Sequence, residues 1–201
     1  KRRWQQLGGE ISATASYSSR EDHSASMSAA LNIPSSERRA RDVRSMLATK
    51  IEFTARRRQD LDVVFLLSKS GVEARSLKPL LDYHYASDLP VYATSNIYRG
   101  VADARDRDLN EIHLVETPWL LEANPETRAE LAGGQIDKNA YTRLNALGAD
   151  AFLLQTRFPQ LQAGEDMLMR GNTGLLSLNP QLHITRELLP ATFDGGILVA
   201  Q

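Results

Sequence analysis

QDLDVVFLLSKSG, residues 59–71, is the stretch that decides the fold. At its centre, VVFLL (63–67) is an unbroken apolar run of strand length, the pattern of a strand buried on both faces. The run stops at a small polar loop, Ser68-Lys69-Ser70-Gly71. In the EARSLKPLLDYHY that follows, Leu77, Leu80, Leu81 and His84 recur at helical spacing, which predicts a helix over 73–85. Strand, turn and helix make one βα unit.

Outward from this unit the alternation repeats. Asp88-Leu89-Pro90 breaks the helix, 91–94 predicts a second strand, and 112–115 a third, stopped by Pro118. Upstream, Ser35 or Ser36 can cap a helix in which Val43, Met46 and Leu47 share a face. KRRWQQLGG reads as the last turns of a helix closed by Gly8 or Gly9, and EISATASYS alternates as a strand would. Residues 22–32 are too weakly patterned to assign. Downstream, Asn124-Pro125 opens a helix, and 140–157 predicts a longer one with Tyr141, Leu144, Leu147, Ala151 and Leu154 inward. GLLSLN, ITRELLPATF and GGILVA read as strands. Together these predict an α/β fold, a mostly parallel sheet flanked by helices on both faces. A start inside a helix predicts a segment of a longer protein.

Composition narrows the function. The chain has 201 residues, 24% charged and 42% hydrophobic, with a net charge of −1, values of an ordinary globular domain with no global pull toward nucleic acid or anionic membrane. No apolar run approaches bilayer length. The absence of cysteine excludes disulfides, thiolate nucleophiles and cysteine metal sites within the chain.

The chemical motifs are weak. SKSG lacks the GxxxxGK[ST] frame, and Gly71 is expected to let the chain turn into its helix. His23, His84, His113 and His183 are scattered; His84 and His113, within apolar runs, are expected to be packed side chains with one hydrogen bond each. No GxSxG elbow recommends Ser68 or Ser95 as a nucleophile. Asp103, Asp106 and Asp108 lack the glycine and distal glutamate of a calcium loop, and Arg105 and Arg107 interleave them. Trp4 and Trp119 read as packing residues. No enzyme, cofactor or metal is expected. The basic stretches RRARDVR (38–44) and ARRR (55–58) are offset by Asp42, Glu52, Asp60 and Asp62, leaving a solvated face and an acidic partner surface both open. Without interleaved aromatics, nucleic acid is not expected.

RRRQD (56–60) ahead of the strand, ARSLKPLLDYHYASDLPVYATS (74–95), DLNEI (108–112) and TPWLL (117–121) together resemble the C-terminal domain of the LppC/LpoA family of bacterial outer-membrane lipoproteins. The resemblance implies a fold like that of type I periplasmic binding proteins, two α/β lobes joined by crossing strands. This chain would be the second lobe plus part of the first: 1–118 the main part, 119–170 an excursion to the other lobe, and 171–201 the return strands. The implied function is that of a non-enzymatic periplasmic regulator of peptidoglycan synthesis. It would bind and activate a class A penicillin-binding protein, held at the outer membrane through an upstream lipidated cysteine outside this chain. The alternative is a type I solute-binding module for an amino acid or cell-wall fragment. Ligands of open α/β sheets sit beyond the carboxyl ends of the strands, which makes Ser68, Lys69, Ser70, Ser95 and Asn96 the cleft-lining candidates for a small polar ligand. Arg56, Arg57 and Arg58 are the partner-surface candidates; alternatively they pair only with nearby acids.

Overall fold

The computed structural model describes residues 1–47, 52–121, 130, 142–164 and 167–201. VVFLL supplies β1 (Val64–Leu66), and the two further expected strands are β2 (Val91–Ala93) and β3 (Ile112–Glu116). All three are parallel, in register Val64↔Val91↔Ile112. The sheet is completed by β7 (Leu189–Asp194), antiparallel to β3, and β8 (Ile197–Ala200), antiparallel to β7. A two-residue Gly195-Gly196 turn joins them, with φ of +60° and +84°. Two left-handed residues in succession define the tight turn whose twist matches a hairpin, and glycine takes that conformation without cost.

Helix α4 (Gly71–Tyr83) covers one face of this sheet. Its stripe buries Ala74, Leu77 and Leu81 against Leu66, Val91, Ile112, Leu114, Ala191, Phe193 and Leu198. The helix ends two residues earlier than its periodicity suggests, because Tyr85 turns left-handed (φ +56°). The Ala86 amide then bonds Leu81 O at 2.8 Å and the Tyr85 amide bonds Asp82 O at 3.0 Å, which caps the last carbonyls. Below α4 lies α2 (His23–Ala30), in the stretch that the sequence pattern left unassigned; His23 Nδ1 and Ser76 Oγ are 2.8 Å apart.

The opposite sheet face carries an open row. Register aligns Phe65, Tyr92, His113, Thr192 and Val199 across all five strands. Trp4 stands edge-on to Phe65 with centroids 5.1 Å apart, Phe65 and Tyr92 are 6.0 Å apart, and Tyr92 and His113 5.1 Å.

Several expectations are corrected. EISATASYS forms no strand: its small side chains offer little to bury, and residues 10–16 run alongside the body with Trp4 Nε1 donating to Glu10 O and Arg58 to Ser12 O. The closure of α1 (Arg2–Gln6) is as expected: Gly8 turns left-handed (φ +88°), its amide bonding Gln5 O and the Gly9 amide Trp4 O. Ser35 and Ser36 sit inside the first turn of α3 (Ile33–Leu47), and Val43, Met46 and Leu47 are exposed rather than inward. Pro118 opens a short helix, α5 (Pro118–Leu121), besides ending β3. His84 Nε2 is buried without a hydrogen-bond partner among the described residues, while His113 Nδ1 meets Thr192 Oγ1 at 2.8 Å.

Helix α6 (Thr142–Gln162) matches the expected long helix where it is described, but turns a different face inward. Leu144, Leu147 and Ala151 are exposed and Thr142, Ala146 and Asp150 are buried, while Leu154 is half-buried as expected. ITRELLPATF divides: β6 (Ile184–Glu187) joins β4 (Leu168–Arg170) and β5 (Leu175–Leu178) in a separate antiparallel sheet, and only β7 enters the main one. That small sheet packs Met169 and Leu176 against Leu161 of α6. Residues 140–141 and the Asn124-Pro125 helix start lie outside the described residues.

Candidate functional site

Because β1, β2 and β3 are parallel, their carboxyl ends lie along one edge, where the loops after them converge. After β1, Ser70 is the N-cap of α4, its Oγ accepting from the Glu73 amide at 3.4 Å. Glu73 reaches back: its Oε2 accepts from the Lys69 amide at 2.9 Å and from Ser68 Oγ at 3.2 Å. Ser68 Oγ also lies 2.9 Å from Ser70 O, and Ser68 is buried. The Lys69 amide, followed by Ser68, holds the Glu73 carboxyl below its usual range. An anion at a helix N-terminus is bound by free amides and hydroxyls. Here a carboxylate of the chain already occupies them. The Lys69 side chain is exposed.

After β2, Ser95 and Asn96 belong to a one-turn helix, Ser95–Ile97. This turn and the SKSG loop meet at Gly71, where a β-carbon would stand 2.5 Å from Ile97 O. Gly71 is therefore the first residue of α4 and the point of closest approach between two strand-end loops, rather than only the turn into the helix.

The third loop is tied by charge. Glu116, at the end of β3, is 1% exposed, and its carboxylate pairs with Arg143 of α6. Glu116 Oε1 accepts from Arg143 Nε at 3.1 Å and from the Thr117 amide at 2.8 Å. Arg143 Nη2 also donates to Ser95 O at 2.8 Å and Tyr98 O at 3.0 Å. One guanidinium thus binds the ends of β2 and β3 to α6, satisfying the buried carboxylate as an unpaired charge there could not be. Two turns further on, Asp150 receives four donors: the Asn172 amide at 2.6 Å, Asn172 Nδ2 at 2.9 Å, the Thr173 amide at 2.7 Å and Thr173 Oγ1 at 2.6 Å. Asn172 O accepts from the Trp119 amide at 2.9 Å.

Of the residues picked from the sequence, the structure brings Ser68, Lys69, Ser70, Ser95 and Asn96 to this one edge. Arg143, Glu116 and Asp150 were missed; no local pattern marks them, although the small-residue run GNTG (171–174) between β4 and β5 signals a tight docking loop. Arg56, Arg57 and Arg58 lie apart from the edge. Arg57 is buried, 2.6 Å from Asp88 and donating to Tyr85 O and Arg58 O. Arg58 pairs with Asp60, and the exposed Arg56 lies 4.8 Å over the Tyr85 ring. Among the described residues no three His, Asp or Glu side chains converge to share an ion.

The class that this geometry defines is a mixed α/β lobe, whose parallel strand ends face an edge crossed by a distant helix. More narrowly, the chain belongs to the LppC family: the family model described as "LppC putative lipoprotein" matches residues 1–196. A penicillin-binding protein activator LpoA of Aliivibrio fischeri is 29% identical over 193 residues, 92% of this chain and 31% of that protein. The LpoA of Photobacterium profundum is 27% identical over 200 residues, 96% of this chain and 32% of its own length. The chain thus spans about a third of the curated relatives it matches. Among solved structures, the LpoA (YraM) C-domain from Haemophilus influenzae, described as a regulator of PBP1A, superposes on 100% of this chain and 55% of its own, with TM-score 0.62 at 21% identity. That likeness is one of fold.

Proposed function

We propose that this chain is part of a non-enzymatic regulator of peptidoglycan synthesis, which binds and activates a class A penicillin-binding protein. The reading rests on membership of the LppC family along residues 1–196, with relatives named penicillin-binding protein activators. The edge geometry agrees with it. The polar groups at the strand ends serve the chain itself: Ser68, Ser70 and Glu73 cap α4, and Arg143 closes β2 and β3. A surface rather than a pocket then meets the partner, on the order of 800 Å² per side for a standard interface. Activation requires tighter binding to one conformation of the synthase than to another. Residues 1–118 form the main lobe in this reading, 119–170 the excursion and 171–201 the return. The whole protein faces the periplasm from the outer membrane, through a lipidated cysteine outside this chain.

The test uses the full-length protein and the purified class A synthase of the same organism. Saturable binding with a faster crosslinking rate is expected. No binding, or binding without any change in rate, removes the activator reading.

A further inference from the structure

A groove opens at the amino ends of β2 and β3, at the other end of the sheet from the loops 68–71 and 95–97. The second half of α4, the connection 87–91 and residues 107–111 line two adjoining hollows of about 180 and 490 Å³, which share Lys78, Ser87 and Glu111. Apart from Arg107 and His113, every lining residue falls within 74–95 or 108–112, two of the stretches that carry the family resemblance. Leu89 and Val91, both buried, supply its apolar wall.

The charges in this groove are incompletely matched. Lys78 is 7% exposed, and among the described residues its ammonium meets only Asp82 Oδ1, at 3.3 Å. An ammonium carries three N–H donors, so two of them have no acceptor there, and a buried charge is costly until its hydrogen bonds are made. Asp88 is held by Arg57 at 2.6 Å. Asp108 and Glu111 are exposed on the rim, and their carboxylates form no ion pair with any described residue. Arg107 is the one cation beside them in the larger hollow that is not already paired, which leaves the rim acidic.

We propose that this groove receives an extended segment of the synthase that carries a lysine or arginine. The basic side chain meets Asp108 and Glu111, and a main-chain carbonyl of the segment accepts from Lys78. This rests on the activator reading and names the place and chemistry of the contact within it. The rim repels a wholly anionic ligand, and Lys78 and Arg107 repel a lone cation. A peptide segment offers a cation and an uncharged acceptor together. A free amino acid offers both charges as well, but leaves most of so open a groove to water.

The test uses the full-length protein and the purified synthase, with three variants: Asp108→Asn with Glu111→Gly, Asp108→Lys, and Lys78→Met. Glu111 holds φ +66°, a conformation that glycine adopts without strain, so its replacement spares the fold; thermal melting checks all three. Association and dissociation are followed at low and moderate salt. Neutralising the rim is expected to weaken binding by at least about tenfold, mainly through slower association with a smaller salt dependence. Asp108→Lys should slow association further, and Lys78→Met should speed dissociation. Synthase binding that all three folded variants retain overturns the groove and leaves the activator reading standing. Faster association of Asp108→Lys overturns the basic segment. A lower melting temperature of the rim variant with unchanged synthase affinity assigns the groove to a contact within the full-length protein and overturns the proposal. Absence of wild-type synthase binding removes the activator reading and this site with it.

Discussion

Three consecutive arginines have three different surroundings. Arg57 is buried and holds Tyr85 O beyond α4 together with Asp88, Arg56 lies over an aromatic ring, and Arg58 forms an exposed pair with Asp60. A sequence supplies the charges of such a run but not their partners, which come from residues up to 46 positions away. The Arg58–Asp60 pair gives a direct measurement. The hydrogen bonds from Arg58 lower the Asp60 carboxyl to about 2. A carboxyl lowered on folding favours the folded state above its unfolded value of about 3.9, and that contribution is lost as pH falls toward the folded one. Carboxyl-carbon NMR should show Asp60 titrating near 2, and Arg58→Ala should return its midpoint toward 4. The melting difference between wild type and Asp60→Asn should shrink as pH falls from about 4 to about 2. A midpoint near 4 in the wild type would show that the pair does not form.

At the scale of elements, the parallel strands β1 to β3 were legible because each is a compact apolar run bounded by turn residues. Helix α6 was legible as a helix and misread as to face. Its periodicity marks Leu144, Leu147 and Ala151, yet the buried positions are Thr142, Ala146 and Asp150: Asp150 binds the GNTG turn, Thr142 lies beside Gly100 and Ala146 joins the main core. ITRELLPATF was legible as extended chain, but nothing local could divide it between two sheets. Two glycines in helices express the same distinction between pattern and contact. Gly71 has Ile97 O where a β-carbon would go, so Gly71→Ala must push two loops apart and is expected to lose about 2 kcal/mol. Gly148 of α6 has nothing within 4 Å of that position, and Gly148→Ala is expected to gain about 1 kcal/mol from helix propensity alone. Urea denaturation of both variants checks this; equal signs would refute the contact at Gly71.

For the molecule as a whole, the decisive links join parts remote in sequence. Arg143 bridges α6 to the ends of β2 and β3, and Asp150 bridges α6 to the loop that enters the small sheet. Both are polar contacts between residues that no local sequence pattern pairs, which is why the candidate edge was only half legible in the sequence. Its loops could be placed, but the groups that close it could not. Asp150→Ala leaves four donors around an empty place, two of them amides of a buried turn, and is expected to cost about 3 kcal/mol. Hydrogen exchange should then rise first at residues 171–174, while β1 to β3 keep their protection. Uniform loss of protection across the main sheet would mean that the clasp is part of the main core rather than a joint between parts.

The two tryptophans divide the molecule optically. Trp119 is 3% exposed and tied through its amide to Asn172; Trp4 is 37% exposed at the end of the aromatic row. Emission from the enclosed indole belongs at shorter wavelength than emission from the one that meets water. With Trp4 replaced by phenylalanine, the remaining fluorescence comes from the junction of α5 with the 171–174 turn alone. Quenching by iodide or acrylamide then reports whether that junction opens when a partner arrives, with no dye attached and no change at the strand ends.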